Sequence, residues 1–160
     1  MTIAIRPAAP QDVPLILALV HELAEYERDA ASVTATEAMI DEALFGARPA
    51  AEAVIAQRDG EPVGFALFFQ NFSTWTGRPS LYLEDLYVRP EARGHGVGKA
   101  LLRHLAGIAI ERGYPRFEWS VLDWNQPAID FYRAMGAVAM DQWTVQRVSG
   151  DALARLAERG

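Results

Sequence analysis

Cysteine is absent from this 160-residue chain, which excludes a disulfide scaffold, a zinc–thiolate centre and any mechanism passing through a sulfur-bound intermediate. Lysine is nearly absent too: of 15 basic residues only Lys99 is lysine, a compositional habit of the Ala-rich chain rather than a functional sign. No uninterrupted apolar run approaches the ~18 residues that cross a bilayer. The first residues, Met1-Thr2-Ile3-Ala4-Ile5-Arg6, lack the basic start and apolar core of a secretory signal. No repeat, low-complexity tract or linker-like shift divides the chain. Against these absences stand 51% hydrophobic residues, enough to exclude a disordered chain. The expectation is one domain over residues 1–160, soluble and cytoplasmic, without a membrane partner. A net charge of −6 disfavours nucleic acid, whose binding rests on phosphate neutralisation, and mildly favours cationic small molecules.

Periodicity and punctuation predict interleaved helices and strands. Residues 3–6 read as a first strand, broken by Pro7 and Pro10. Val13, Ile16, Leu17, Val20, Leu23 and Ala24 recur at helical spacing to about Glu27. A second helix opens at Thr36-Glu37 and stops at Gly46. Residues 53–58 and 63–69 form a hairpin around Asp59-Gly60, and residues 81–88 form the next strand. A helix follows Gly98 as far as Arg112, and Phe117, Trp119 and Val121 then alternate with polar residues as in a strand. A short helix runs over 127–135, residues 138–140 and 143–148 are expected to close the sheet as a strand pair, and 151–157 make a terminal helical turn. The class is α/β or α+β on a mixed sheet.

The most informative stretch runs from Leu83 to Gly98, where a strand enters the glycine-rich turn Arg93-Gly94-His95-Gly96-Val97-Gly98 and a helix leaves it. Glycines there let backbone N–H groups converge on an anion, and the helix N-terminus adds partial positive charge, so a diphosphate is the natural ligand; a bare Gly-x-Gly-x-Gly reads equally as an ordinary flexible turn. The Lys-Ser/Thr pair of a P-loop is missing, and the spacing is not that of a Rossmann turn. His21, His95 and His104 show no metal-ligand spacing, and no Gly-x-Ser-x-Gly elbow exists, so neither a metal site nor a serine triad is expected.

The turn resembles the Arg/Gln-x-x-Gly-x-Gly/Ala signature of the GNAT (Gcn5-related N-acetyltransferase) superfamily. A second match, Asn125-Gln126-Pro127-Ala128-Ile129-Asp130-Phe131-Tyr132-Arg133-Ala134-Met135-Gly136, is similar to that family's Asn-x-x-Ala-x-x-Phe-Tyr segment. Glu22-Leu23-Ala24-Glu25-Tyr26-Glu27, Leu81-Tyr82-Leu83-Glu84-Asp85-Leu86 and Asp123-Trp124-Asn125 look like the diamine (spermidine/spermine) and thialysine branch. The resemblance implies a GNAT-like fold with a central, mostly antiparallel mixed sheet flanked by helices. It implies acetyl-CoA as co-substrate, no metal, a small primary amine as acceptor, and a homodimer with the closing strands at its interface.

Residue by residue, the resemblance places the coenzyme on Leu86, Tyr87, Val88, Arg93, Gly94, His95, Gly96, Val97, Gly98, Lys99, Asn125, Pro127, Ala128 and Tyr132. The amine falls to Tyr26, Glu27, Trp75, Glu84, Glu118, Trp119 and Ser120. A free alkylamine has a pKa of about 10.4, so its neutral form costs roughly 4–5 kcal/mol at pH 7. Glu84 is the expected proton acceptor and Tyr132 the donor to the departing thiolate. By composition alone Glu84 is a surface strand carboxylate and Tyr132 a core aromatic; the motifs around them turn both readings. Asn125 either holds the pantetheine arm or caps the following helix. Glu118, Asp123, Trp75 and Trp124 read equally as rim charges and core aromatics. Asp85 is expected on the opposite face from Glu84, because strand side chains alternate, unless a bulge intervenes. Another amine acceptor, or an acyl-CoA sensor without chemistry, are the alternatives.

Overall fold

The computed structural model describes residues 1–158, which fall into two compact units, Met1–Trp124 and the stretch from Asn125 onward. The first unit carries a five-stranded sheet in the order β1 (Ile3–Pro7), β2 (Glu52–Arg58), β3 (Glu61–Ser73), β4 (Arg78–Val88), β5 (Phe117–Trp119). The first three pairings are antiparallel and β4–β5 is parallel, so the sheet is mixed and mostly antiparallel, as expected.

Local chemistry explains these elements. Asp59 and Gly60 both take positive φ, 51° and 84°, the two-residue turn whose twist suits a hairpin. Helix α1 (Val13–Tyr26) is anchored at its start by Asp12, whose carboxylate accepts two bonds from the Arg6 guanidinium, at 2.7 and 2.9 Å, and one from the Ala9 N–H at 2.8 Å. The Arg6 hydrogen bond outweighs burial and holds the Asp12 carboxyl below its ordinary range. Helix α2 (Glu37–Phe45) begins on the Thr36 side chain, which accepts from the Met39 N–H, and ends at Gly46.

Both faces of the sheet are covered. Ile16, Leu19 and Leu23 of α1 and Leu44 of α2 pack with Ala53, Ile55, Phe65 and Tyr87 on one side. Strand alternation sends Val54, Ala66, Phe68, Leu81 and Leu83 to the other, the side of helix α3 (Val97–Glu111), whose Val97, Leu101, Leu102, Leu105 and Ala109 are buried. Each large side chain so buried contributes about 1.5–3 kcal/mol.

In the second unit, helices α4 (Gln126–Ala134) and α5 (Gly150–Ala157) form as expected. The predicted closing strands do not. Residues 138–140 and 143–148 lie outside any strand, and Val138, Met140, Trp143, Val145 and Val148 are exposed. Alternating apolar residues satisfy the pattern of a strand, but a strand also requires a neighbour for its N–H and C=O groups, and none of the described residues pairs with these.

Candidate active site at the end of strand β4

Strand β4 organises the site through two departures from regularity. Its pairing with β3 shifts register: Leu67 lies opposite Asp85 and Phe68 opposite Leu83, so Glu84 is the extra residue of a β-bulge. Residues opposed across antiparallel strands share a face. Leu83 therefore keeps to the α3 side with Phe68, while Asp85 joins Leu67 on the α1 side. Tyr82, opposite Phe69 with the rings 5.2 Å apart, is on that α1 side as well. The bulge is the exception that the expectation for Asp85 allowed: the inserted residue cancels one step of the alternation, so Asp85 shares the α1 side with Tyr82.

Three carboxylates now influence one another. Asp85 is half-buried, and its carboxyl is pushed up to about 6, first by burial and then by the charges of Glu84 and Glu27. Glu27, at the end of α1, is raised by burial, then by Asp29 and Glu84. Glu84 itself is exposed. Beside these acids lie aromatic rings and guanidinium groups. Tyr26 is 6.2 Å from Trp124, Arg28 stands 4.1 Å over the Trp124 ring, and Arg93 lies 5.2 Å from the Tyr26 ring and 5.5 Å from that of Tyr87.

The second departure concerns pairing along the other edge of β4. Its register with β5 ends where Leu83 meets Trp119, and β4 continues to Val88 with no strand on that side among the described residues. Leu86, Tyr87 and Val88 occupy this open stretch. Arg89 then ties the strand end to α1 by bonding the Glu22 carboxylate at 3.1 Å, and the Tyr87 hydroxyl donates to the same acid at 3.3 Å. Pro90–Ala92 form a 3-10 turn, and Arg93 donates from Nε to the Val88 carbonyl at 2.8 Å, folding the turn back on the strand.

Gly94 and Gly96 follow with φ of 80° and 84°, a conformation that L-residues with a Cβ avoid. A Cβ added at either would meet nothing within 4 Å, so the space above them is open. Gly96 is the N-cap of α3, and the first bond of that entry runs from the Ala100 N–H to the Gly96 carbonyl at 2.9 Å. The N–H groups of residues 94–99 find no acceptor among the described residues. Six successive donors at a helix start, faced by open space, fit a diphosphate. No group of metal-ligating side chains occurs among the described residues.

The remaining predicted residues are distributed as follows. Gly94, His95, Gly96 and Lys99 are exposed in the turn, and Val97 is buried beneath it. Glu118 is opposite Tyr82 and so shares its face; Ser120 contacts the Tyr82 hydroxyl at 3.0 Å. Trp119 is opposite Leu83 on the α3 side, its ring 4.9 Å from Phe117. Trp75 sits at the tip of the β3–β4 hairpin, 84% exposed and away from the acids by sequence and register. Within the second unit, Asn125 is 5% exposed and its side chain accepts from the Ala128 N–H at 3.4 Å, the capping role. Pro127 stands in the first turn of α4, and Tyr132 is half-buried on that helix with its ring 5.6 Å from Phe131. Sequence reasoning named a bulge only as the exception for Asp85 and did not place it, and it missed Arg28 over Trp124. A positive φ of 62° at Arg28 has no signature in a non-glycine residue.

Comparison with known proteins adds an independent line. Residues 17–137 match the family model described as acetyltransferase (GNAT) family. The chain is 37% identical to a thialysine N-epsilon-acetyltransferase of Sus scrofa over 98% of both proteins. It is 31% identical to an L-ornithine N5-acetyltransferase of Arabidopsis thaliana, over 93% of this chain and 85% of that one. Among solved structures, an integron cassette protein from the mobile metagenome of V. cholerae superposes with a TM-score of 0.81 at 27% identity, covering 99% of each chain.

Proposed function

The chain belongs to the acetyltransferase (GNAT) family and is an N-acetyltransferase, and from that premise we propose that it moves the acetyl group of acetyl-CoA directly to a primary amine of a small cationic acceptor, thialysine-like or a diamine. The observation that carries the reading is the union, along one strand, of an amide-lined turn and a carboxylate cluster. Donors 94–99 would hold the coenzyme diphosphate, with Lys99 beside them. The open edge of β4 at Leu86, Tyr87 and Val88 offers main-chain groups to an extended arm, as an edge does to an added strand, and an N–H there polarises the thioester carbonyl.

The acids do the second half of the work. An ammonium ion entering among Glu27, Glu84 and Asp85 relieves their mutual repulsion, and Tyr26 and Glu118 line the same face of the proposed amine path. Glu84, directly or through water, takes the proton that makes the nitrogen a nucleophile. The nitrogen forms its bond to the acyl carbon as the carbon–sulfur bond breaks; we assign Tyr132 the proton that the leaving thiolate receives, and the second proton that the nitrogen sheds in becoming an amide restores the phenol through solvent. The chain has no cysteine to carry the acyl group, in keeping with transfer inside a ternary complex.

As further parts of this reading, residues 1–160 act as one catalytic domain, and the working protein is a cytoplasmic homodimer. The exposed apolar residues Val138, Met140, Trp143, Val145 and Val148 support the dimer, since a run of exposed apolar side chains of this kind favours burial against a neighbouring chain. Sedimentation that finds only a monomer at micromolar concentration contradicts that part.

Thiol release from acetyl-CoA, measured across a panel of amines, tests the function. Turnover is expected with thialysine, lysine, ornithine and short diamines, and Tyr132→Phe is expected to lower turnover more than coenzyme affinity. Coenzyme binding without turnover on any amine marks a sensor instead. Preference for an amine carrying no second charge removes the role given to the carboxylates.

A further inference from the structure

In this acidic chain of net charge −6, three arginines are paired with the chain's own carboxylates: Arg6 with Asp12, Arg89 with Glu22 and Arg112 with Glu52. Another cluster of cations lies apart from these pairs. A surface groove of about 610 Å³ is lined by Ile5, Gly96, Lys99, Ala100, Arg103 and His104, with no acidic residue among them. Lys99 and Arg103 lie one helical turn apart on α3, as do Ala100 and His104, so both rows face the same groove. The side chains of Lys99, Arg103 and His104 have no hydrogen-bond or ion-pair partner among the described residues. Ile5, on the edge strand β1, supplies an apolar wall opposite them.

Gly96 belongs both to this groove and to the row of unpaired amides, so the two sites are continuous. That continuity dictates the ligand chemistry. Coenzyme A carries, one ribose away from its diphosphate, a phosphate monoester with roughly −1.5 to −2 charge at neutral pH. Lys99 and Arg103 extend away from the amide row by one turn of helix, about 5.4 Å, the scale of that separation. We infer that the Lys99–Arg103–His104 groove binds the ribose 3′-phosphate of coenzyme A and makes the protein selective for the coenzyme over its 3′-dephospho form. The inference rests on the acetyl-donor reading given above. Ile5 and Ala100 provide the contact for the apolar edge of the adenosine, and the cations provide the discrimination.

Calorimetric titration of the intact protein with coenzyme A and with 3′-dephospho-coenzyme A tests this directly. Coenzyme A is expected to bind about tenfold tighter, a partly solvated multi-cation contact being worth more than a single exposed ion pair. In Arg103→Ala/His104→Ala the ratio is expected to fall to about twofold, the loss confined to coenzyme A, and Arg103→Glu is expected to bring it to one or below. Circular dichroism verifies the fold of each variant. Equal affinities in the intact protein, or a ratio unmoved by the substitutions, overturn the groove and leave the acetyl-donor reading standing. Absence of binding by both ligands overturns that reading, and the groove with it.

Discussion

The amide-lined turn and the carboxylate cluster are both products of strand β4, yet they are built by opposite means. The turn works through backbone: Gly94 and Gly96 at positive φ, and donors that no protein group occupies. Its helix start, with Arg93 and Lys99 flanking the glycines, asks for an anion. The cluster works through side chains: a one-residue bulge brings Asp85 to the α1 side, and burial first, then the charges of Glu84 and Glu27, push its carboxyl up to about 6. It asks for a cation. On the proposed reading, an anion site and a cation site opening from the two ends of one strand segment would bring a phosphorylated donor to a basic acceptor.

The largest effect that would break this contrast comes from removing the acids. Glu84→Gln combined with Asp85→Asn is expected to lower kcat/KM for a diamine roughly a thousandfold, the middle of the range for loss of a positioned proton acceptor. Coenzyme affinity in the same variant should stay within about threefold, because neither residue belongs to the turn. An equal loss of coenzyme binding, read by calorimetry, would merge the two regions into one.

Next in size is the pH dependence of stability. Folded Asp85 holds its proton to about 6, whereas the unfolded carboxyl releases it at the ordinary 3.8. Between those values the native state binds more protons, so stability falls as pH rises from about 4 to about 6 and then levels, losing about 2–3 kcal/mol. Asp85→Asn should remove that slope and be the more stable protein at pH 7 while turning over poorly. Denaturant titrations at pH 4, 5, 6 and 7 measure it, and a slope that persists in the variant assigns the titration to another group. The Asp12 carboxyl acts with the opposite sign: its lowered pKa contributes stability above the ordinary range, lost as pH falls through the folded value.

The smallest effect sharpens the other side of the comparison. Gly96→Ala has room for its methyl within the protein but must hold φ near 84° at the start of α3, a strain of about 1–2 kcal/mol. Coenzyme affinity should drop about tenfold, with the kcat on saturating donor little changed, since the carboxylates are untouched. A selective loss of kcat instead would move Gly96 into the chemistry.

The same contrast explains what could be read beforehand. The turn was legible because its physics is local: a glycine at positive φ leaves a mark in the residue type, as does Thr36 under α2 or Asp59-Gly60 in the hairpin. The helix periodicity of α1 and the β2–β3 hairpin followed from the spacing of apolar residues, whereas the β3–β4 pairing did not. The bulge at Glu84 left no mark, since register is decided by β3 and β4 together and neither carries an unusual residue at Leu67, Phe68 or Glu84. Residues 143–148 erred in the other direction. Their alternation is that of a strand, but pairing is a property of two segments, and exposed Val145 and Trp143 show a pattern without its neighbour. The groove at Arg103 and His104 needed the juxtaposition of α3 with β1, which no motif encodes.

The account rests on main-chain donors gripping the coenzyme, and amide-correlation NMR during a titration with coenzyme A reports on them one by one. The N–H signals of residues 94–99 are predicted to move furthest and downfield as each gains an acceptor. If those signals stay fixed while coenzyme A binds and perturbs some other part of the chain, the turn is not the cradle and the assignment of β4 as the organiser of the site is wrong.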